Sequence, residues 1–456
     1  MSEPARARLS VLFFLDRLRD QISLLKAQQF PGSQVGPDLW LELASGLLDT
    51  ARSYLDRSEN VNIAEALKLT KAAAELCSVT YDHLGNLSGA TSDQIPWSVV
   101  DPLSRWFSDL GISNDVFFRA ELKRNYEIKR FEKTEFLRFR DPATSLTDTI
   151  NKITWPILRV TVPSAALSIL PHFAIVAHEV GHRVSVPYSM ARLQPIINDA
   201  VVHITKRLGG FDAQTGAEFQ GVVYRWIAEF NSDAVAFFLT GPASFFSIDF
   251  TQLAAMGHHG IGLTHPAHRV RRGVMFRQLT KGKPSFADAF QKYTGTALTE
   301  DLGSSLLPEI PDDNSLFNEM TLRTRSQRAA AIIVELNKTA QALAEVIYSD
   351  VHQYLAKAAS GSEYTVSQYE EDLFNHLDAI TFTIPPIESG NSLKNKVPCS
   401  LATIMNVGWA AVLTRVDQIK VRPDPDHPKT GNLATIHNLL LKAVELSEAK
   451  RRWESA

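Results

Sequence analysis

Residues 174–185 read AIVAHEVGHRVS, and the spacing of His178 and His182 in this stretch decides how the rest of the chain is read. Side chains four apart on a helix share a face, so both imidazoles can reach one ion. Glu179 falls roughly 100° round the helix from His178, which puts its carboxylate beside such an ion and within reach of water. The apolar neighbours Phe173, Ile175, Val176 and Val180 predict a buried helix, as a dry catalytic centre requires. Taken alone, the motif also fits two core histidines satisfied by hydrogen bonds.

Outward from this helix, residues 224–246 read YRWIAEFNSDAVAFFLTGPASFF. Glu229 and Asp233 form E-x-x-x-D and share a helical face with Trp226 and Phe237 in a run that is otherwise almost wholly apolar. Carboxylates in such surroundings need partners or a metal. Glu229 completes a His-His-Glu set that leaves a fourth zinc position for water. Asp233 is placed to accept the second ring N–H of a liganding histidine and so fix its tautomer. The competing expectation is an ordinary ion pair of Arg225 with Glu229. Residues 263–275, LTHPAHRVRRGVM, place Pro266 in the first turn of a further helix, with Thr264 or His265 near its cap. Arg269 and Arg271 then project from the first turns, and His265 stands at the helix entrance as a cap or a site residue.

The whole sequence sets limits on this site. At 456 residues the chain exceeds one ordinary core, and 45% hydrophobic with 21% charged residues is a globular composition. Lys plus Arg number 47 against 50 Asp plus Glu, a net of −3, so no nucleic acid or anionic lipid is expected as a partner. Two distant cysteines, Cys77 and Cys399, fit a reducing compartment, and a cytoplasmic location is expected. Residues 9–15 form a short apolar run without a small-residue cleavage site and are read as the start of a helix. The apolar stretch 160–177 is broken by Pro163, Pro171 and His172, so no membrane span is expected.

The pattern along the chain is mainly α with a smaller β part (α+β). Leu15, Leu18, Ile22 and Leu25 recur at helical spacing, as do Trp40, Leu43, Leu47 and Leu48. Residues 62–84 predict a third helix, opening after Asn60 or Asn62 as cap. DVFFRAEL, NYEIKRFE and TEFLRFR predict a small antiparallel sheet beginning near Asp115, and residues 156–164 another strand just before the central motif. Residues 303–314 read as a linker and 315–346 as a long helix; IPPIESGNSLKNKVPCS and VRPDPDHPKTGN read as loops. Three regions follow: N-terminal helices over 1–114, a core over 115–302 and C-terminal helices over 303–456.

Thr264-His265-Pro266 with Arg269 and Arg271, downstream of H-E-x-x-H and E-x-x-x-D, resembles the HtpX and CAAX-prenyl-protease family of gluzincins. The run from Trp226 through Glu229 and Asp233 to Gly241-Pro242-Ala243 is also similar to a set of bacterial cytosolic proteins with this metallopeptidase core. The resemblance covers about residues 156–280. It implies a zincin-like core: an active-site helix, an edge strand before it that binds extended peptide, and a second ligand helix. It implies Zn²⁺ held by His178, His182 and Glu229, Glu179 as general base, and His265 as polariser of the tetrahedral intermediate, with Tyr224 or Tyr188 as weaker donors. The membrane segments of that family are absent from this chain. The expected activity is hydrolysis of a protein or peptide substrate by metal-activated water, in a gated protease acting on a specific intracellular protein. The alternative is a helical regulatory or interaction protein with a structural or degenerate zinc site, and in either case the flanking helices suit a regulatory partner.

Overall fold

The computed structural model describes residues 3–31, 35–92, 94–112, 116–122, 126–139, 144–164, 167, 169–254, 263–299, 327–390, 396–419 and 428–455. The chain is mainly helical with a small sheet of few strands. Among the described residues, no helix is long and apolar enough to cross a membrane. Its contacts gather into two compact units, residues 1–104 with 113–167 and residues 105–112 with 168–456, where the sequence suggests three regions. The expected linker at 303–314 and the first part of the helix expected from 315 lie outside the described residues.

The first unit contains helices α1 (Glu3–Lys26), α2 (Val35–Arg57) and α3 (Ile63–Ser88), and the first residues of α4 (Trp97–Asp109). The leucines at helical spacing face inward: Leu15, Leu18, Leu47 and Leu48 are all at most 1% exposed. Asn62 caps α3, its side chain accepting from the Glu65 backbone N–H at 3.0 Å. Strands β1 (Val116–Glu121), β2 (Glu127–Phe131) and β3 (Ile157–Pro163) form one sheet in the order β1-β3-β2.

Three expectations are corrected here. The sheet is mixed, because β1 runs parallel to β3 and only β2 is antiparallel to it. The strand expected in TEFLRFR is instead the short helix α5 (Lys133–Leu137), started where the Glu132 N–H donates to the Glu135 carboxylate at 3.0 Å. Helix α6 (Leu146–Lys152) follows. Strand β3 is buried along its whole length with a hydrogen-bonded neighbour on each side, so it has no free edge for an extended peptide. Its apolar residues Ile157, Leu158, Val160 and Val162 are all buried, as suits a central strand that packs on both faces.

Trp40 organises this core. It is 1% exposed, and its ring meets Phe131 at 4.9 Å and Phe117 at 5.7 Å between centroids. Its Nε1–H donates to the His83 carbonyl at 3.2 Å, which satisfies the one polar atom the indole brings inside.

The second unit is built from α7 (Ala174–Gly181), α8 (Met190–Leu208), α9 (Ala213–Thr240), α10 (Pro242–Ala254), α11 (His268–Leu279), α12 (Phe286–Thr294), α13 (Gln327–Ala358), α14 (Val366–Thr381), α15 (Leu401–Thr414) and α16 (Pro428–Ser455). The loop expected around residue 390 carries a two-residue ladder of β4 (Glu388–Ser389) and β5 (Val397–Pro398). Helix α9 is the spine, packed against both α7 and α13. At its end the chain turns through Gly241, φ 52°, where a Cβ would lie 2.7 Å from the Tyr364 ring. Asn406 of α15 closes that corner, donating to Thr240 O at 2.8 Å and accepting from Ala243 N at 2.9 Å.

Replacing Trp40 by Ala is expected to cost about 3–5 kcal/mol, because the ring leaves a cavity that its aromatic neighbours cannot fill. Urea denaturation followed by tryptophan fluorescence and circular dichroism measures it. A loss below about 1 kcal/mol would contradict the packing described.

Candidate metal centre

Helix α7 is short and buried on nearly every face, from Ala174 through His178 to Gly181. Gly181 sets how closely it can approach α9: a Cβ there would lie 2.5 Å from Ser232 Cα and 3.0 Å from Ser232 O. Only a residue without a side chain lets the two backbones touch in this way. His182 is the C-cap, with φ −63° and ψ −11°, so the chain holds near-helical geometry just long enough to keep it one turn from His178. The two imidazoles stand 4.9 Å apart between centroids at 88°. Asn231 of α9 secures the end of the helix. Its Nδ2 donates to Gly181 O at 2.7 Å and to Val184 O at 3.2 Å, and its Oδ1 accepts from the Tyr188 hydroxyl at 2.7 Å.

Glu229 of α9 faces both imidazoles. His178 Nε2 is 3.5 Å from Glu229 Oε2 and His182 Nε2 is 3.6 Å from Oε1. These separations exceed an ordinary N–H···O bond. They match the spacing of about 3.4 Å between two ligands each about 2.1 Å from one tetrahedral ion. Glu229 Oε2 is buried and has no hydrogen-bond partner among the described residues, which is how a ligand oxygen stands when its ion is left out of account. Glu179 also reaches the pair: one ligand atom from each of His178, Glu179 and His182 lie within 4.8 Å of one another. The donor set of two imidazoles and a carboxylate therefore fits a divalent ion such as zinc, with the exposed side at His182.

Asp233, one turn beyond Glu229, is fully buried and holds two partners. Its Oδ1 is 2.8 Å from His178 Nδ1, and Arg271 of α11 donates to its two oxygens from Nε and Nη2, both at 2.7 Å. Arg271 Nη1 is 3.4 Å from Glu229 Oε2. Burial pushes the Asp233 carboxyl up, but the Arg271 charge and the His178 contact outweigh it and hold it well below the usual range. Burial likewise opposes ionisation of Glu229, and His178 with Arg271 overcomes it, to about 2. Glu179 has its carboxyl raised by burial, a shift that the charge of His178 reduces. His178 is pushed up to about 10, where Asp233 and Glu229 outweigh burial, while burial and the neighbouring charge of His178 push His182 down to about 4.

His265 arrives from another stretch. The sequence places Pro266 within the helix, but α11 begins at His268 with Ala267 as N-cap, in extended geometry (ψ 132°). His265 is therefore not a cap. Its Nδ1 lies 2.8 Å from Thr264 Oγ1 and its Nε2 is 3.4 Å from Glu229 Oε1, with the side chain 57% exposed. Arg225 does not pair with Glu229; it donates to Leu263 O at 2.8 Å and so ties this loop to α9.

The structure thus gathers His178, Glu179, His182, Glu229, Asp233 and His265 at one place and adds Arg271. The side chain of Arg269 lies outside the described residues. Tyr224 is 76% exposed, and the Tyr188 hydroxyl is committed to Asn231. Asn231 and Tyr348 escape the sequence reading. The Tyr348 hydroxyl is buried without a hydrogen-bond partner among the described residues, close enough to Asp233 and Arg271 to feel both charges. An amide inside the apolar run of α9 is the one signal that could have marked Asn231. Compared with protein-family models, with curated proteins and with solved structures, the chain matches none.

Gly181→Ala is expected to force α7 off α9, lowering stability by about 1–3 kcal/mol. Zinc affinity should fall with it, measured by competition with a chromophoric chelator. Wild-type affinity and melting temperature together would show that the close approach is not needed.

Proposed function

We propose that the chain is a zinc-dependent peptidase with a zincin-like core, in which His178, His182 and Glu229 hold the ion and Glu179 is the general base. One observation carries this reading: three histidines from two separate stretches converge on a single carboxylate of a third, with His178, His182 and His265 all 3.4–3.6 Å from Glu229. The pairing of a short buried helix with a second ligand helix, α7 beside α9, supports the zincin-like likeness.

When bound, the ion supplies a Lewis-acid centre that polarises a carbonyl and makes water acidic near neutral pH. Glu179 accepts the proton of the attacking water and returns it to the departing amine. Its burial keeps that carboxylate poorly hydrated and thus more basic than a surface glutamate. Asp233 holds His178 by Nδ1, so that Nε2 presents its lone pair to the site. Arg271 holds Asp233 in turn. His265, on the exposed side, can donate to the oxyanion that forms on the scissile carbonyl. Two buried free thiols, Cys77 and Cys399, fit work in the reducing cytoplasm.

A second reading has its own support. His265 Nε2 is as near to Glu229 as the other two imidazoles are, which suits a fourth ligand closing a structural site. That would make the chain a helical regulatory protein. Its 57% exposure favours the open, catalytic arrangement, because solvent and substrate share that side.

Glu179→Gln should keep zinc and fold while lowering turnover of an unfolded protein substrate at least about a hundredfold. Glu229→Ala should lose stoichiometric zinc in elemental analysis. If Glu229→Ala retains the metal and Glu179→Gln releases it, the two carboxylates have exchanged roles.

His265→Ala separates the two readings. A donor to the oxyanion is worth about 3 kcal/mol, so kcat should fall roughly a hundredfold with zinc content and KM unchanged. Loss of zinc from the same variant would instead make His265 a ligand and the site closed.

A further inference from the structure

The candidate metal centre belongs to the second unit; the first unit contains a cavity of about 500 Å³ between the end of α3, the sheet and α5. This is within the range of sites that take small molecules. Its walls are unusual for a sheet face packed on a helix. Arg119 of β1, Lys129 of β2 and Arg159 of β3 all line it, joined by Arg138 just beyond α5. Lys129 and Arg159 are directly paired across β2 and β3, and like charges opposite one another are destabilising. Arg119 and Arg159 both donate to one oxygen, Asn86 Oδ1, at 2.7 and 2.6 Å.

Carboxylates offset part of this charge. Glu121 is 3.2 Å from Arg119, Glu127 is 3.1 Å from Arg159, and Asp82 and Glu135 also stand in the wall. Glu135 is already bound to the Glu132 N–H. Even so, Arg119 Nε, Arg159 Nε and His83 Nδ1 are buried without a hydrogen-bond partner among the described residues. Arg119, Lys129 and Arg159 nonetheless all line the cavity, where an anion would offset their mutual repulsion. The remaining walls are aromatic. Phe131 lies under Lys129 at 5.0 Å, and Phe139 under Arg138 at 4.4 Å. Gly85 of α3 lines the cavity with nothing within 4 Å of where its Cβ would be, so the helix is bare where a ligand would enter.

We infer that this cavity binds an organic anion, a phosphate or carboxylate carried on a flat ring, with Arg119, Arg159 and Lys129 holding the anion and the phenylalanine rings holding its body. The site is independent of the metal centre and of the peptidase reading.

Isothermal titration of the full chain tests it, with adenosine monophosphate, phenyl phosphate and benzoate as probes and adenosine, phenol and inorganic phosphate as controls. At least one aromatic anion should bind saturably, one per chain, and about tenfold or more tighter than its uncharged counterpart or inorganic phosphate. Phosphate and carboxylate probes together tell which head group the site prefers. Lys129→Gln, at an exposed position, should weaken binding several-fold without loss of fold, and Arg119→Gln about tenfold or more. Gly85→Leu is the decisive variant: it improves the helix and has open space, so the chain should fold while binding disappears. Failure of all three anions to saturate, equal binding of the uncharged controls or of inorganic phosphate, or wild-type affinity in Gly85→Leu would each overturn the proposal.

Discussion

Asp233 has no access to water, and an isolated charge in that position would cost far more than the fold of such a unit can supply. It is tolerated because Arg271 meets both of its oxygens and His178 its remaining side. Breaking such a buried pair costs about 3–5 kcal/mol, so each partner is held where the carboxylate needs it. Three elements are fixed by this one group. Helix α9 carries the carboxylate, α11 is drawn in through its arginine, and α7 is turned so that the Nδ1 face of His178 points at Asp233. The orientation of His178 Nε2 toward Glu229 is a consequence.

The second constraint is distance. An imidazole reaches a carboxylate on another helix only if the backbones are close, and Gly181 against Ser232 removes the side-chain layer that normally keeps helices about 8–10 Å apart. Asn231 then ties the frayed end of α7 to α9, which matters because the helix stops before His182. Rigidity is thus obtained from hydrogen bonds to backbone carbonyls where regular helix runs out.

Much of this was legible because it depends on local spacing. The pairs His178 with His182 and Glu229 with Asp233 are fixed by helical periodicity, and an apolar run around carboxylates announces that they have partners. The caps at Asn62 and the inward leucines of α1 and α2 are legible for the same reason. What failed depended on pairing between distant segments. Nothing in VFFRAE or EIKRF says that the first runs parallel to β3 and the second antiparallel, and TEFLRFR has strand composition but is overruled by the Glu132–Glu135 cap. Pro266 suits a first helical turn as well as the residue before a cap, and the backbone chose the latter. The role of Arg271 over other arginines, and of Asn231, needed three dimensions.

The charges of the cluster bear on what belongs in it. With neutral imidazoles, Glu179, Glu229 and Asp233 stand against Arg271, with Arg183 also acting on Glu179. A proton on His178 offsets part of the excess, and its neighbours favour that proton strongly. Yet three Nε2 atoms face Glu229 at nearly equal distances, and one proton can bridge only one of them. Burial and His178 together disfavour a second proton on His182. On the reading proposed above, a divalent cation held by the imidazoles and the carboxylate would relieve this excess of negative charge. Holding such an ion would require His178 Nε2 to be unprotonated, with Nδ1 left facing Asp233 at 2.8 Å. The same arrangement that holds Asp233 in a dry interior turns His178 Nε2 toward Glu229, the orientation that its proposed role as a metal ligand needs.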